Sequence, residues 1–288
     1  MTYVGSMALQ MAFWDVQHGD AAFVKTPDGT TIVHDLGMGS LGDDEQRFSP
    51  LRHLKRNLIG SLDQLIVTHP HKDHIDDIRN IGTLLPKVFI RPTHITRDAI
   101  LDDVSTRDRD LFQTYLSMDE HYHGPITKHQ TSQATDCGVT IRTFHPKDPS
   151  QSNLNNHSLV TVISYAHSSI VLTGDNESPS WNYLLQNPDF RSAIEDADIL
   201  VAPHHGRRVG YHPELFDYCS PKLTIISDGR YRTTSATSRY TRVSEGWKVH
   251  KRSGGTEVRS TVTTRQDGVV IVKFGFNDDV PYIKVQIN

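Results

Sequence analysis

Three histidines and one aspartate are clustered in residues 68–74, THPHKDH, with the spacing H-x-H-x-D-H. Neutral imidazole nitrogens and carboxylate oxygens suit Zn²⁺, Mn²⁺ and iron, and alternate residues can supply two adjacent ions. A purification tag or a chance His-rich loop is the simpler alternative, but a tag lies at a terminus and lacks the aspartate. The spacing therefore predicts a metal site formed by His69, His71, Asp73 and His74.

The elements on either side of this cluster determine where its side chains can meet. Leu62 to Val67 ends in an apolar run that predicts a buried strand, and Ile75 to Leu85 predicts a helix that Pro86 ends. The cluster then lies on a tight strand-to-helix loop. Side chains on such a loop can converge on one point in front of a sheet.

Three further predicted strands end in residues of types that can bind or orient a metal ion. Asp35 follows the strand Thr30 to His34, Gly174-Asp175 follows Ser169 to Leu172, and His204-His205 follows Asp198 to Val201. A Gly-Asp pair by itself is an ordinary turn. This pair lies well beyond the histidine cluster and behind a Val- and Ile-rich hairpin, which favours a functional interpretation.

Composition is that of a water-soluble protein, with 288 residues, 36% hydrophobic and 22% charged. The absence of a long apolar run and of a signal-like N-terminus predicts a cytoplasmic protein that does not engage membranes. Two cysteines cannot form a disulfide framework, which agrees with a reducing compartment. Residues 201–265 carry twelve Lys and Arg against five Asp and Glu, although the net charge is −4. This excess indicates an anionic substrate such as a phosphate, or alternatively a solvated basic surface.

The chain is predicted to form one domain of two pseudo-repeated halves, residues 8–125 and 139–288. Helical spacing near 93–124 predicts an insertion over the site. His121 and His123 form a second H-x-H pair there, without acidic neighbours, and are interpreted as surface residues.

Five strings occur in an order that resembles one known group of hydrolases: DVQHGD at 15–20, HPHKDH at 69–74, NNHSLV at 155–160, LTGD at 172–175 and PHHG at 203–206. They resemble the metallo-β-lactamase fold hydrolases, and in particular the hydrolase domain of ComEC-type competence proteins. The resemblance runs from about Ala8 to Phe274. It implies an α/β protein with a four-layered αβ/βα sandwich and DNA-degrading activity, and phosphorylcholine esterases share a similar His-His-Gly motif.

The same resemblance implies a role for each motif residue. The first metal would take His69, His71 and Asp175, with His157 left open as a further ligand, and the second would take Asp73, His74, Asp175 and His205. Asp35 would orient the metal loop, and His204 would hold the phosphate or protonate the leaving oxygen. Arg207, Arg208 and Arg230 are candidates for phosphate contacts, since the guanidinium fork suits that geometry.

These inferences predict a metal-dependent phosphodiesterase with two divalent ions, Zn²⁺ or Mn²⁺, which hydrolyses DNA or RNA through a metal-activated hydroxide. One alternative is a hydrolase of the same fold that acts on a small phosphodiester, a lactone or a thioester. Another is a binding or regulatory module with a degenerate site, although a module without chemistry has no need of so many ligands. Protein partners are not predicted.

Overall fold

A computed structural model describes residues 7–40, 47–102, 104–122, 132–134, 137–146, 152–229 and 233–288. Its strands are β1 Leu9–Phe13, β2 Ala22–Lys25, β3 Thr31–His34, β4 Gly39–Ser40, β5 Arg47–Phe48, β6 Leu62–Ile66, β7 Pro86–Ile90, β8 Ser132–Ala134, β9 Thr140–Phe144, β10 Val160–Tyr165, β11 Ser168–Leu172, β12 Ile199–Val201, β13 Leu223–Ile226, β14 Trp247–Lys251, β15 Thr256–Arg259, β16 Thr261–Thr263, β17 Val270–Asn277 and β18 Val280–Ile287. The main helices are Pro50–Arg56, Lys72–Ile75, Arg97–Leu101, Arg109–His121, Ser178–Leu184, Pro188–Ile194, Thr237–Val243 and Thr264–Asp267. Tighter 3₁₀ turns cover Asp76–Thr83, Leu154–His157 and Pro213–Asp217.

Two large sheets form in the described part of the chain. The first has the order β15-β14-β18-β17-β1-β2-β3-β6-β7, and the second has the order β16-β13-β12-β11-β10-β9-β8. The C-terminal strands β14, β15, β17 and β18 thus join the sheet that begins with the N-terminal hairpin. Alternate side chains on each strand point to opposite faces, so each sheet has an inner and an outer apolar face.

The inner faces pack against each other, and helices cover the outer ones. Val24, Ile32 and Ile66 share one core with residues of the second sheet such as Ile170 and Ile225. On the outer face of the first sheet, a second core includes side chains from helices Pro50–Arg56 and Arg109–His121. A third core joins the second sheet to helices Ser178–Leu184, Pro188–Ile194 and Thr237–Val243. The predicted α/β fold with a four-layered αβ/βα sandwich is confirmed.

The helix predicted from Ile75 to Leu85 differs from the observed structure. An α-helical turn covers Lys72–Ile75, and a 3₁₀ helix continues over Asp76–Thr83. Asp77 Oδ2 accepts a hydrogen bond from Leu51 N at 2.7 Å, and Asp77 Oδ1 accepts one from Ser49 Oγ at 2.6 Å. This aspartate therefore ties the segment to the start of the neighbouring helix, a contact that periodicity cannot predict.

Parallel pairing brings the loops after several strands to one edge of the sandwich. β3 is parallel to β6 in the first sheet, and β11, β12 and β13 are parallel in the second. Because the carboxyl ends of parallel strands lie at the same edge, the residues that follow these strands become neighbours. No helix in the described part of the chain combines the length and apolar character that crossing a membrane would require.

Candidate metal centre

Two loops, one from each sheet, supply most of the candidate ligands. The metal loop, residues 68–74, follows β6, and the His-His turn, residues 203–206, follows β12. His204 and His205 have φ values of 51° and 53°, in the left-handed region that non-glycine residues rarely adopt. Asp35 after β3 has a φ of 58° as well. Strained backbone of this kind persists where the surrounding structure fixes it, and it clusters at functional sites.

The structure brings His74, Asp175 and His205 together in a buried group, with Asp73, whose side chain is 24% exposed, at its rim. Asp175 Oδ1 lies 3.3 Å from His74 Nε2, and Asp175 Oδ2 lies 3.3 Å from His205 Nε2. Asp73 Oδ2 lies 3.2 Å from the same His205 nitrogen. One ligand atom from each of Asp20, His74, Asp175 and His205 falls within 4.8 Å of the others.

The Nδ1 atoms of His74 and His205 are each fixed by a hydrogen bond. His74 Nδ1 donates to Asp35 Oδ2 at 2.8 Å, and His205 Nδ1 donates to the Ser227 carbonyl oxygen at 3.2 Å. In the neutral tautomers that these bonds select, both Nε2 atoms are therefore acceptors that face carboxylate oxygens. Among the described residues, His74 Nε2, His205 Nε2 and Asp175 Oδ1 are buried without a hydrogen-bond partner of good geometry. Such a convergence of buried acceptors fits a divalent cation.

The pKa shifts of Asp175, His74 and His205 follow from the attraction between these groups. Burial alone would raise the pKa of Asp175, but the charges of His205 and His74 hold it well below its usual value. Burial would lower the pKa of His205 and of His74, yet the carboxylates, Asp175 first, raise both well above the ordinary histidine value. In the absence of metal, protons thus take the positions that cations would occupy between these groups.

His69 and His71 form a pair next to this group. His69 Nε2 lies 3.0 Å from His71 Nδ1, and the His69 and His74 ring centroids are 4.2 Å apart. Thr68 Oγ1 and Ser158 Oγ each lie 3.2 Å from His69 Nδ1, so Nε2 is the His69 nitrogen that faces His71. Both rings are largely buried, and burial lowers the pKa of each. Two neutral rings with their nitrogens facing each other can share a metal ion.

Asp35 is held at the centre of a hydrogen-bond network. Its Oδ1 accepts from Thr68 N at 2.8 Å, and its Oδ2 accepts from Thr68 Oγ1 and His74 Nδ1, both at 2.8 Å. The side chain is fully buried. Asp35 therefore fixes both the backbone of the metal loop and the orientation of one of its rings.

His157 and the arginines are placed differently from the other candidates. The structure pairs His157 with His94, with 2.7 Å between His157 Nδ1 and His94 Nε2. Arg207 Nη2 approaches His18 Nε2 at 3.3 Å, at the edge of the buried group, whereas Arg208 is exposed. Arg230 and His123 lie outside the described residues.

His204 points to one side of the buried group. Its Nδ1 is 3.2 Å from Glu177 Oε1, and its Nε2 is 3.9 Å from Asp175 Oδ2. Asn153 and Asn155 also donate to the Glu177 carboxylate, at 3.0 and 3.2 Å. Glu177 thus links the loop that contains Asn153 and Asn155 to the His-His turn.

Sequence reasoning assigned no chemistry to His18 and Asp20, which the loop between β1 and β2 brings into the centre. His18 Nε2 lies 3.2 Å from Asp73 Oδ2, and Asp20 Oδ2 lies 3.9 Å from His205 Nδ1. Burial raises the pKa of Asp20 to about 6, and burial followed by the charge of His205 lowers the pKa of His18 to about 4. The string DVQHGD was a signal for this loop, but not for the role of either side chain.

The basic excess of residues 201–265 is partly neutralised by ion pairs. Lys222 binds Asp198, Arg265 binds Asp228 at 3.3 Å and Arg259 binds Asp267 at 3.3 Å. Lys251 pairs with Glu257 at 2.8 Å. The summed charge therefore overstates the positive potential of this region. Among the arginines that the structure describes, Arg207 approaches the centre.

A cleft of about 620 Å³ opens beside the metal loop. It reaches His71 and Asp73 on one side, and the helices of the 93–122 region contribute Asp102, Asp108 and Phe112 on the other. Lys72 Nζ lies 2.8 Å from Asp108 Oδ1 across this cleft. The wall opposite the metal loop therefore carries two carboxylates, and that of Asp108 is paired with Lys72.

No family model matches the chain. It is 23% identical to Recombination protein 2 of Haemophilus influenzae over 218 residues, which are 75% of this chain and 24% of the relative. It is 25% identical to ComE operon protein 3 of Bacillus subtilis over 234 residues, 75% of this chain and 28% of the relative. The chain thus spans about a quarter of the length of these relatives.

Among solved structures, the chain is similar to the metallo-β-lactamase fold protein YhfI from Bacillus subtilis. The TM-score is 0.50 at 12% identity, with 92% of this chain and 99% of that chain covered. At this identity the likeness concerns the fold, which agrees with the two sheets and their helical layers. The chain has the metallo-β-lactamase fold, and its sequence resembles that of competence proteins of the ComEC type.

Proposed function

We propose that this protein is a metal-dependent phosphodiesterase that cleaves nucleic acid. The observation that carries the proposal is the convergence of the His74 and His205 nitrogens on the buried Asp175 carboxylate, with Asp73 beside His205 at the rim of the group. Acceptors buried in this way are costly unless a cation or a proton lies among them. Arg207 at the edge of the group adds a group that binds phosphate oxygens.

The proposed ligands divide into two sets. His69, His71 and Asp175 would hold one divalent ion, Zn²⁺ or Mn²⁺, and Asp73, His74, Asp175 and His205 would hold the other. His157 stays open as a further ligand of the first ion, and its Nδ1 lies 2.7 Å from His94 Nε2. Two bound divalent ions would supply an activated water and neutralise charge on the phosphate.

The remaining side chains have distinct parts in the proposed reaction. Asp35 keeps the His74 ring in one tautomer and one orientation, through its 2.8 Å hydrogen bond. His204, held through Nδ1 near Glu177, presents Nε2 towards the centre, where it would hold a phosphate oxygen or protonate the leaving oxygen. Arg207 and Arg208 would bind the phosphate backbone of the substrate, and Arg230 is retained as a candidate from sequence alone.

Two considerations support nucleic acid over the other substrates. A lactonase or thioesterase site would gain nothing from an arginine beside the Asp73 and Asp175 carboxylates. One relative is named a recombination protein, and another is named for the ComE operon. A small phosphodiester remains the alternative within the same chemistry, and the cleft beside the metal loop could hold one.

A cleavage assay tests the proposal directly. Single- and double-stranded DNA and RNA would be incubated with the protein and Mn²⁺, Zn²⁺, Mg²⁺ or EDTA. The expected result is fragmentation with metal, none with EDTA, and none with Asp73→Ala/His74→Ala. Cleavage of bis-p-nitrophenyl phosphate without cleavage of nucleic acid would indicate a small-substrate phosphodiesterase. If neither is cleaved while the protein holds metal, the phosphodiesterase proposal is wrong.

A further inference from the structure

His18 lies beside a carboxylate of the proposed metal centre, on the loop between β1 and β2. Its Nε2 is 3.2 Å from Asp73 Oδ2, and its ring centroid is 4.7 Å from that of His205. One ligand atom from each of His18, Asp73 and His205 lies within 4.8 Å of the others. The side chain is 34% exposed, so it lies between the buried group and solvent.

The position of His18 is fixed by contacts with both sheets. Gly19 has a φ of 139°, and a Cβ at this residue would lie 2.5 Å from the Asp73 carbonyl oxygen. Ser227 Oγ, at the end of β13, donates to the Gly19 carbonyl oxygen at 2.7 Å. Gln17 also has a left-handed backbone, with a φ of 61°. The loop is therefore clamped between the metal loop and the second sheet, which is how pre-organised sites are held.

The hydrogen-bonding roles of the neighbours show which nitrogen of this ring carries the lone pair. Arg207 Nη2 lies 3.3 Å from His18 Nε2, and a guanidinium can only donate, so His18 Nε2 accepts. Asp73 Oδ2 is an acceptor too, and so is His205 Nε2 when its Nδ1 donates to Ser227. Asp73 Oδ2 thus lies 3.2 Å from His18 Nε2 and 3.2 Å from His205 Nε2. Ligand atoms bound to one Zn²⁺ at about 2.0 Å in a tetrahedron are roughly 3.3 Å apart, which matches these separations.

We propose that His18 is an additional ligand of the metal ion held by Asp73 and His205. The inference rests on the proposed metal centre, which it extends by a ligand from the first loop of the chain. Metal binding would then join three loops, the β1–β2 loop, the metal loop and the His-His turn. The competing explanation is that His18 only positions Arg207 for substrate, and the experiment separates the two.

Cobalt binding gives a readout that does not depend on catalysis. Co²⁺ would be titrated into four metal-free proteins: wild type, His18→Ala, His18→Gln and the surface control His121→Ala. The heat of binding and the visible absorption of the bound ion would be measured. Wild type and His121→Ala are expected to bind two ions. Both His18 variants should bind one of the ions at least about tenfold more weakly, with an altered spectrum. Even residues that only orient metal ligands change metal affinity about 10–100-fold. Thermal unfolding of the metal-free forms would show that all four are folded.

The outcomes separate the two proposals. If wild type binds two Co²⁺ ions and both His18 variants match it in affinity and spectrum, His18 is not a ligand, and the metal centre itself stands. A raised KM for nucleic acid in those variants, with unchanged Co²⁺ affinity, would assign His18 to positioning Arg207 and also overturn the inference. If wild type binds no Co²⁺, the proposed metal-dependent function fails, and the inference fails with it.

Discussion

The metal loop and the His-His turn contribute to one site by different physical means. In residues 68–74, His69, His71, Asp73 and His74 extend from a strand-to-helix connection whose first helical residues have ordinary backbone. In the His-His turn, His205 reaches the centre from a left-handed backbone that costs about 1–2 kcal/mol per residue. The first loop places its side chains by spacing. The second depends on contacts that hold a strained turn.

Those contacts come from the loop after β11 and from the residue that precedes helix Thr237–Val243. His204 N donates to the Gly174 carbonyl oxygen at 3.0 Å, and Ala236 N donates to the Gly206 carbonyl oxygen at 2.7 Å. Gly174 itself has a φ of 55°, and a Cβ there would lie 2.7 Å from Ser158 Cβ. The turn that carries His205 is thus built on the loop that carries Asp175. Changes to the first loop should therefore affect chemistry most, and changes to the second should affect stability as well.

The largest effect is expected from removing two ligands of the metal loop. Asp73→Ala/His74→Ala should lower the rate of bis-p-nitrophenyl phosphate hydrolysis by about 10³-fold or more, as for other residues that act as one catalytic unit. Steady-state kinetics at saturating Mn²⁺ would measure it, with His121→Ala as the surface control. Retention of a tenth of the wild-type rate would show that the metal loop is not the catalytic centre.

A smaller loss is expected where a residue supports the metal loop without binding metal. Asp35→Asn keeps the size of the side chain but weakens the hydrogen bond that orients His74. Metal affinity should fall about 10–100-fold, as for other residues that orient metal ligands. Competition with a chelator would measure this. Asp63→Asn is the matched control, because Asp63 also accepts from a backbone amide, that of Thr31 at 2.8 Å. Equal affinities in the two variants would rule out the orienting role of Asp35.

Arg207 tests whether the edge of the His-His turn contacts substrate. Arg207→Ala should raise KM for nucleic acid several-fold and reduce the slope of log affinity against log salt by about one, as expected for one lost phosphate contact. The slope would be measured from nucleic-acid binding at several salt concentrations. Both proteins would carry Asp73→Ala/His74→Ala, so that the substrate is not cleaved. Arg242→Ala, an exposed arginine of helix Thr237–Val243, is the control. An unchanged slope would exclude Arg207 as a phosphate ligand.

The smallest effect concerns the strain in the His-His turn. His204→Gly and His204→Ala both remove the ring, so their difference reports on the backbone. The Gly variant should be more stable to urea by about 0.5–1 kcal/mol, because glycine adopts a positive φ without steric cost. At Ser192, exposed within helix Pro188–Ile194, the order should reverse by about 1 kcal/mol. If alanine is the more stable residue at both positions, the turn is not strained in solution.

Much of the site was predictable from local patterns in the sequence. The apolar run before residues 68–74, and the strands before Asp35, Asp175 and His205, marked where the ligands would lie. Proline likewise acts locally, since Pro188 begins helix Pro188–Ile194 after helix Ser178–Leu184 has ended. Such features are local, because strand period, turn residues and proline act over a few residues.

Tertiary structure alone decided which of these residues meet. His157 and His205 are both histidines after or before buried strands, yet one ring pairs with His94 and the other faces Asp73 and Asp175. His18 enters the centre, and several basic residues of 201–265 are occupied by ion pairs. The sequence by itself determined the chemistry available at each strand end. Strand order, parallel pairing and the left-handed His-His turn determined which side chains converge, because these contacts join residues far apart in the chain.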